Sequence, residues 1–308
     1  KRWISRMLAP YLRDNRIASA SPFTNDGEIC SFPRLCKSNR LPDGITLEKI
    51  DEIFVKYGSD EPIDLPTTVG FCMFLSKKAL KEIGGFNEVF GYGYGEENDW
   101  CMRAYKSGHR NVLVPNLFVY HEHGISFSDL GDKKRAQLKE TNINKVGEMH
   151  PDYLPWVYKF IEEDPIKNVR TVVESAVYAR SNKNKGVLII GNRMSGGTKY
   201  FLDVYINSMK ENHRIYKFEI DSNTILITDM RAEGNTVYSI DKKDFTDTSF
   251  KILLDLFNID SIFVNQLVGY GHSIFNIMDW IRESGKPYSY FVHDFFCACP
   301  SYNLLTSK

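Results

Sequence analysis

Three carboxylates crowd one short stretch of this 308-residue chain. Glu96, Glu97 and Asp99 follow the glycine- and tyrosine-rich run Gly91-Tyr-Gly-Tyr-Gly95, and further on His121, Glu122 and His123 follow an apolar segment. A carboxylate on a glycine loop can serve as a general base, and a histidine at a strand end can serve as a metal ligand. Part of the acidity has a structural reason, because carboxylates suit the positive first turn of a helix. The return of the chain to a His-Glu-His cluster exceeds that need.

These groups must be carried by a recognisable set of elements. Apolar residues at 3, 4, 7, 8 and 12 have helical spacing, and 16–22 reads as a short strand entering the polar loop 24–28. A helix is expected over 46–57, where Leu47, Ile50, Ile53 and Phe54 share a face. Residues 67–75 read as a strand, followed by a helix capped by Ser76 and stopped by Gly84-Gly85. Residues 96–106 read as a helix opening on the carboxylates, 112–115 as a strand, and the stretch after Ser126 as a helix with a solvated basic face. The segment 151–180 reads as continuous helix whose apolar positions should pack on one or both halves and fix their placement, and 179–186 as a polar linker.

The blocks Gly70-Phe-Cys-Met-Phe-Leu-Ser-Lys-Lys-Ala-Leu80, Gly84-Gly-Phe-Asn-Glu-Val-Phe-Gly91, Gly95-Glu-Glu-Asn-Asp-Trp-Cys-Met-Arg-Ala104 and Val119-Tyr-His121 occur in that order. Together they resemble the acceptor-side half of a family 2 glycosyltransferase with a GT-A fold. The resemblance implies a catalytic base at Glu97, with Glu96 beside it and Asp99 one step into the helix. It implies acceptor-binding positions at Gly70, Phe71 and Trp100. It also places a metal-side histidine at His121, a choice that spacing alone does not make over His123. The implied cofactor is Mg²⁺ or Mn²⁺, and the implied partners are a nucleotide-sugar donor and a glycan or lipid-linked acceptor. The family's Asp-X-Asp-type motif would lie upstream of Lys1, so the resemblance implies a piece of a longer enzyme.

Beyond residue 186 the pattern changes. Gly186-Val-Leu-Ile-Ile-Gly191 is a continuous apolar run of the kind that forms a buried parallel strand, and a glycine-containing loop then leads into a helix. Further strands are expected at 224–229, 236–239, 261–265 and 288–292, with helices near 250–257 and 274–283, an alternation that argues for a parallel sheet. The loop lacks Gly-X-Gly-X-X-Gly, which weighs against a dinucleotide oxidoreductase. Met194-Ser-Gly-Gly-Thr-Lys-Tyr-Phe-Leu-Asp203 and His293-Asp-Phe-Phe-Cys-Ala-Cys-Pro300 are similar to the N-terminal Rossmann-like domain of a family 4 glycosyltransferase of GT-B type. That resemblance implies that Gly196 and Gly197 face donor phosphates and that His293 borders the cleft. The bland alternative for His293 is a strand-end histidine paired with Asp294.

The expected architecture is α/β: a partial GT-A domain over 1–165, a helical connector over 166–185, and the Rossmann-like half of a GT-B fold over 186–308. The expected activity is transfer of a sugar in cell-surface polysaccharide biosynthesis, and the competing class is a non-catalytic carbohydrate-binding or scaffolding module. Lysine plus arginine equals aspartate plus glutamate at 39 each, so no bulk charge points to nucleic acid. No run of about 20 apolar residues occurs. Six cysteines scattered through a chain too large to need disulfide staples suit a reduced setting, and Cys297-Ala-Cys299 lacks the spacer of common zinc or redox pairs. These features make the chain cytoplasmic by expectation, with peripheral association at the inner face of the membrane where the acceptor is lipid-linked. Nothing in the sequence sets an oligomeric state.

Overall fold

A computed structural model describes residues 2–91, 93–122, 132–193, 196–221, 223, 224–232, 234–267, 270 and 273–293. Two compact units divide at Val177/Tyr178. No helix among the described residues is long and apolar enough to cross a membrane.

The first unit opens with α1 (Trp3–Arg13), β1 (Ile17–Phe23), α2 (Leu47–Tyr57), β2 (Ile63–Asp64) and β3 (Phe74–Leu75). It continues through α3 (Lys77–Ile83), α4 (Glu96–Lys106), β4 (Arg110–Phe118), α5 (Asp132–Met149), α6 (Tyr153–Glu163) and most of α7 (Lys167–Ser181). Local rules set most of these bounds. The Thr46 hydroxyl caps α2 by accepting from Lys49 N–H, and Ser76 caps α3 by accepting from Ala79 N–H. Gly84, at φ 87°, ends α3 in a conformation that side chains resist.

The strands order β2-β4-β1-β3, with β4 parallel to β1 and both outer strands antiparallel. All seven residues of β1 are buried, which suits a central strand covered on both faces. Phe23, Phe32, Phe54 and Phe118 gather into one aromatic cluster, with Phe54 stacked on Phe118 at 5.4 Å.

The strand expected at 67–75 shrinks to its last two residues. Its earlier half bends through a 3-10 turn at Gly70–Cys72 because side chains of β1 take its backbone bonds: Ser21 Oγ accepts from Val69 N–H and donates to the Cys72 carbonyl. The helix expected over 151–180 breaks at Asp164, which sits at φ 43° just before Pro165, a residue that disfavours α conformation in its predecessor. Its apolar positions do find a partner within the first unit. Tyr153, Leu154, Trp156 and Val157 pack with Phe90, Met102 and Val146. Arg170 bonds Asp164 and the Pro33 carbonyl, and Arg34 pairs with Glu174. Of the polar stretch read as a linker, 179–181 end α7 and 185–186 open β5, and the boundary between units falls earlier, inside α7.

The second unit contains β5 (Lys185–Gly191), α8 (Gly197–Met209), β6 (His213–Asp221), β7 (Thr224–Arg231) and β8 (Gly234–Asp241). It closes with α9 (Asp247–Leu256), β9 (Ile259–Val264), α10 (Ser273–Glu283) and β10 (Tyr288–Tyr290). The sheet order is β10-β9-β5-β6-β7-β8. The first four of these strands run parallel, as the alternation implies, but β7 and β8 pair antiparallel at the edge, so the sheet is mixed. The reason is local: β6, β7 and β8 are joined by turns too short for a crossover helix, which leaves antiparallel pairing as the only connection. Strand β6 itself was hidden from pattern reading, because His213, Arg214, Lys217 and Glu219 interrupt its apolar residues. Arg214 is buried all the same, donating to the Asn184, Phe257 and Asn258 carbonyls.

Candidate active site

Helix α4 starts at Gly95, whose φ of 114° brings the glycine loop into the helix without a side-chain cap. A Cβ at Gly95 would lie 3.1 Å from the Phe90 ring and 3.2 Å from Val146, so the position needs glycine for both space and conformation. Glu97 bends back so that its Oε2 accepts the Gly95 N–H at 3.2 Å. That bond and the helix dipole favour the charged form. Burial outweighs them, and repulsion from Glu96 adds to it, pushing the Glu97 carboxyl from an ordinary 4.5 to about 7. Glu96 contributes a second carboxyl whose Oε2 is buried without a hydrogen-bond partner among the described residues.

Across from this pair lies the 3-10 turn at Gly70. A Cβ on Gly70 would sit 3.7 Å from Glu97 Oε1, so the exposed glycine turn lies directly against the carboxylate. The next residue, Phe71, stacks its ring on His121 at 5.2 Å and 25°. His121 is held by its backbone as well as its ring. Asn25 Oδ1 accepts its N–H at 2.8 Å, and Asn25 Nδ2 donates to its carbonyl at 3.0 Å. Its Nδ1 meets the Asp26 carbonyl at 2.7 Å. A carbonyl only accepts, so Nδ1 carries the proton and the lone pair of the neutral ring falls on Nε2. The structure thus brings together Glu96, Glu97, Gly70, Phe71 and His121, from three segments of chain that the sequence places apart.

Asp99 and Trp100 are not part of that grouping. Two residues along an α-helix turn the side chain by about 200°, so Asp99 leaves the helix on the face opposite Glu97. It is wholly buried, with Oδ2 accepting from Arg103 Nε at 2.9 Å and Oδ1 meeting His150 Nε2 at 2.8 Å. Lys106 donates to His150 Nδ1 at 3.0 Å. Asp99 is therefore the centre of a packing network. Trp100 is equally buried, with Nε1 donating to the Gly84 carbonyl at 2.9 Å, and presents no surface to an acceptor. Both expectations are corrected on burial.

In the second unit Gly196, at φ 126°, precedes α8 and Gly197 opens it. A Cβ on either would meet nothing within 4 Å, so both face open space. His293 lies beyond β10, its Nε2 2.9 Å from Asn265 Oδ1 and its ring edge-on to Phe201. Asn192 donates to Gln266 at 3.1 Å. These side chains border the carboxyl ends of β5 and β9, where chain direction diverges and α/β sheets commonly bind ligands. His123, Asp294, Cys297 and Cys299 lie outside the described residues, as do 194–195 of the glycine loop.

Asn25 and Asp26, which hold His121, are site residues that the sequence does not mark. Asn25 and Asp26 look like any polar loop, and nothing in the sequence says that they clasp a strand end more than ninety positions away. No protein-family model matches the chain, and no curated protein matches it. Among the described residues no group of three or more His, Cys, Asp or Glu is gathered to hold a metal.

Proposed function

We propose that the chain belongs to a glycosyltransferase that moves a sugar from a nucleotide-sugar donor to a hydroxyl of a glycan or lipid-linked acceptor, with Glu97 as general base. The observation that carries this reading is a half-buried carboxyl poised at about 7 beside an uncovered glycine turn and an aromatic ring. A base is most effective when its pKa lies near the working pH, and this carboxyl meets that condition. In the step proposed, the acceptor oxygen attacks the anomeric carbon, its proton passes to Glu97, and the bond from that carbon to the diphosphate breaks with its electrons leaving on the phosphate oxygen. Phe71 offers its ring as a platform for a pyranose, and Gly70 leaves room for the hydroxyl against Oε1.

The first unit is then the acceptor-side part of a GT-A domain and the second the Rossmann-like part of a GT-B domain. For the second unit, Gly196 and Gly197 are proposed to face donor phosphates and His293 to border the cleft. The reading also includes Mg²⁺ or Mn²⁺ to neutralise the diphosphate. Among the described residues no group of three or more His, Cys, Asp or Glu is gathered at His121, so they do not make a cation site on their own and no step is routed through the metal. Cytoplasmic placement at a membrane face belongs to the same proposal.

The test is transfer from a panel of nucleotide-sugars to oligosaccharide acceptors. Glu97→Gln is expected to lower kcat by on the order of 10² to 10⁴ while donor Kd stays near wild type. Turnover close to wild type in that variant would remove Glu97 from the role. Binding of glycan without any transfer by the unaltered chain would favour a carbohydrate-binding module.

A further inference from the structure

Helix α5 reads from its sequence as a solvated basic helix, yet its interior face grips the loop that carries the carboxylates. Asn142 is 1% exposed, and its Nδ2 donates to both the Phe90 and Gly93 carbonyls at 2.8 Å. One turn later Val146, fully buried, abuts Gly95. Lys145 Nζ adds a bond to the Val89 carbonyl at 3.2 Å. The loop needs such support. Gly91, Gly93, Gly95 and Tyr94 all have positive φ, and glycines at such positions leave the free chain with many alternatives. Holding one residue in a single conformation costs about 1–2 kcal/mol, more than its own few contacts return.

We propose that Asn142 is a positioning residue, holding the glycine loop so that Glu97 stays packed against Gly70 and beside Glu96. The inference rests on the transferase reading for its effect on turnover, but the placement of Glu97 can be measured without it. The groups that face Glu97 are few. Glu96 lies on the same helix, the buried Tyr153 hydroxyl on α6 feels Glu97 together with Glu28, and the Gly70–Phe71 side brings no charge, with His121 beyond the Phe71 ring. Burial, first, and repulsion from Glu96 raise the Glu97 carboxyl, and a loosened loop would relax both.

The decisive measurement is a side-chain ¹³C NMR titration of this chain with labelled glutamate. Asn142→Ala is expected to lower the Glu97 midpoint by about one pH unit as water reaches the carboxyl. It should also reduce turnover by about 10²-fold, the scale of a small misplacement, with donor Kd unchanged. Asn142→Ser retains one donor and should fall between, and it decides the matter if the alanine variant does not fold. Ile53→Val trims the buried core on α2 and costs about 1 kcal/mol, yet should leave the midpoint in place. A Glu97 midpoint unchanged in the Asn142 variants, or moved equally by Ile53→Val, would overturn the inference. Failure of the transferase reading looks different, as an unaltered chain that transfers no sugar.

Discussion

Glu97 should make the first unit less stable as pH rises, and its replacement by glutamine should make that unit more stable in alkaline solution. The folded carboxyl titrates near 7 and the unfolded one near 4.5, so between those values the native state binds more protons than the unfolded state. Stability is then present in full below about 4.5 and is lost as pH climbs through 7. At about 1.36 kcal/mol per pH unit the full effect would be a little over about 3 kcal/mol. The carboxyl is not wholly sealed from solvent, so about 1–3 kcal/mol is the working range. Glutamine keeps the shape and an oxygen to accept the Gly95 N–H, but it cannot ionise. For a unit of this size that corresponds to a gain of about 2–12 °C in Tm at pH 8.5, shrinking to near zero at pH 4.5. Tryptophan fluorescence suits the assay, since Trp3, Trp100 and Trp156 lie in the first unit and Trp280 in the second. Comparing the variant with wild type at each pH cancels the titration of every other group. A difference in Tm that is the same at both pH values, or a variant less stable at pH 8.5, would refute the reasoning.

Gly70→Ala places a methyl 3.7 Å from Glu97 Oε1 at ordinary contact distance, so Tm should barely move while acceptor kcat/KM falls about tenfold; equal acceptor kinetics would detach Gly70 from the site. Asp99→Ala leaves the buried His150 and the part-exposed Arg103 without their carboxylate, which should cost about 1–3 kcal/mol by urea denaturation, and a loss well under about 1 kcal/mol would deny the network its packing role. Trp100→Phe removes the bond to the Gly84 carbonyl and leaves a gap in the core where the larger ring packed, so a stability loss of about 1–3 kcal/mol is expected, with acceptor KM unchanged; a large rise in KM would restore Trp100 to the binding surface. If the transferase uses Mn²⁺, His121→Ala should raise the concentration needed for half-maximal rate and His123→Ala should not, and the reverse result would reassign the ligand.

Much of this molecule follows from short-range rules that a sequence displays openly. Thr46, Ser76 and Gly84 set helix ends because a hydroxyl three residues before an orphan N–H, or a residue free to take positive φ, acts within one turn. The apolar run 187–190 reads as a buried strand because it is short, rich in β-branched residues and bounded by Gly186 and Gly191. The glycine loop and helix start that carry Glu96, Glu97 and Asp99 are local features, but the choice of Glu97 among them came from the family resemblance. Asp99 could not be separated from it by residue type, and only the turn of the helix sent one carboxylate to a glycine turn and the other into a closed network. The clasp of Asn25 on His121 and of Asn142 on the glycine loop were decided by tertiary structure alone. An amide side chain carries no mark of which distant backbone it will satisfy, because hydrogen-bond partners are chosen by where the packed core brings carbonyls and N–H groups, not by spacing along the chain. The pH at which Glu97 titrates belongs to the same class: burial and a neighbouring charge set it, and both exist only once the chain has folded.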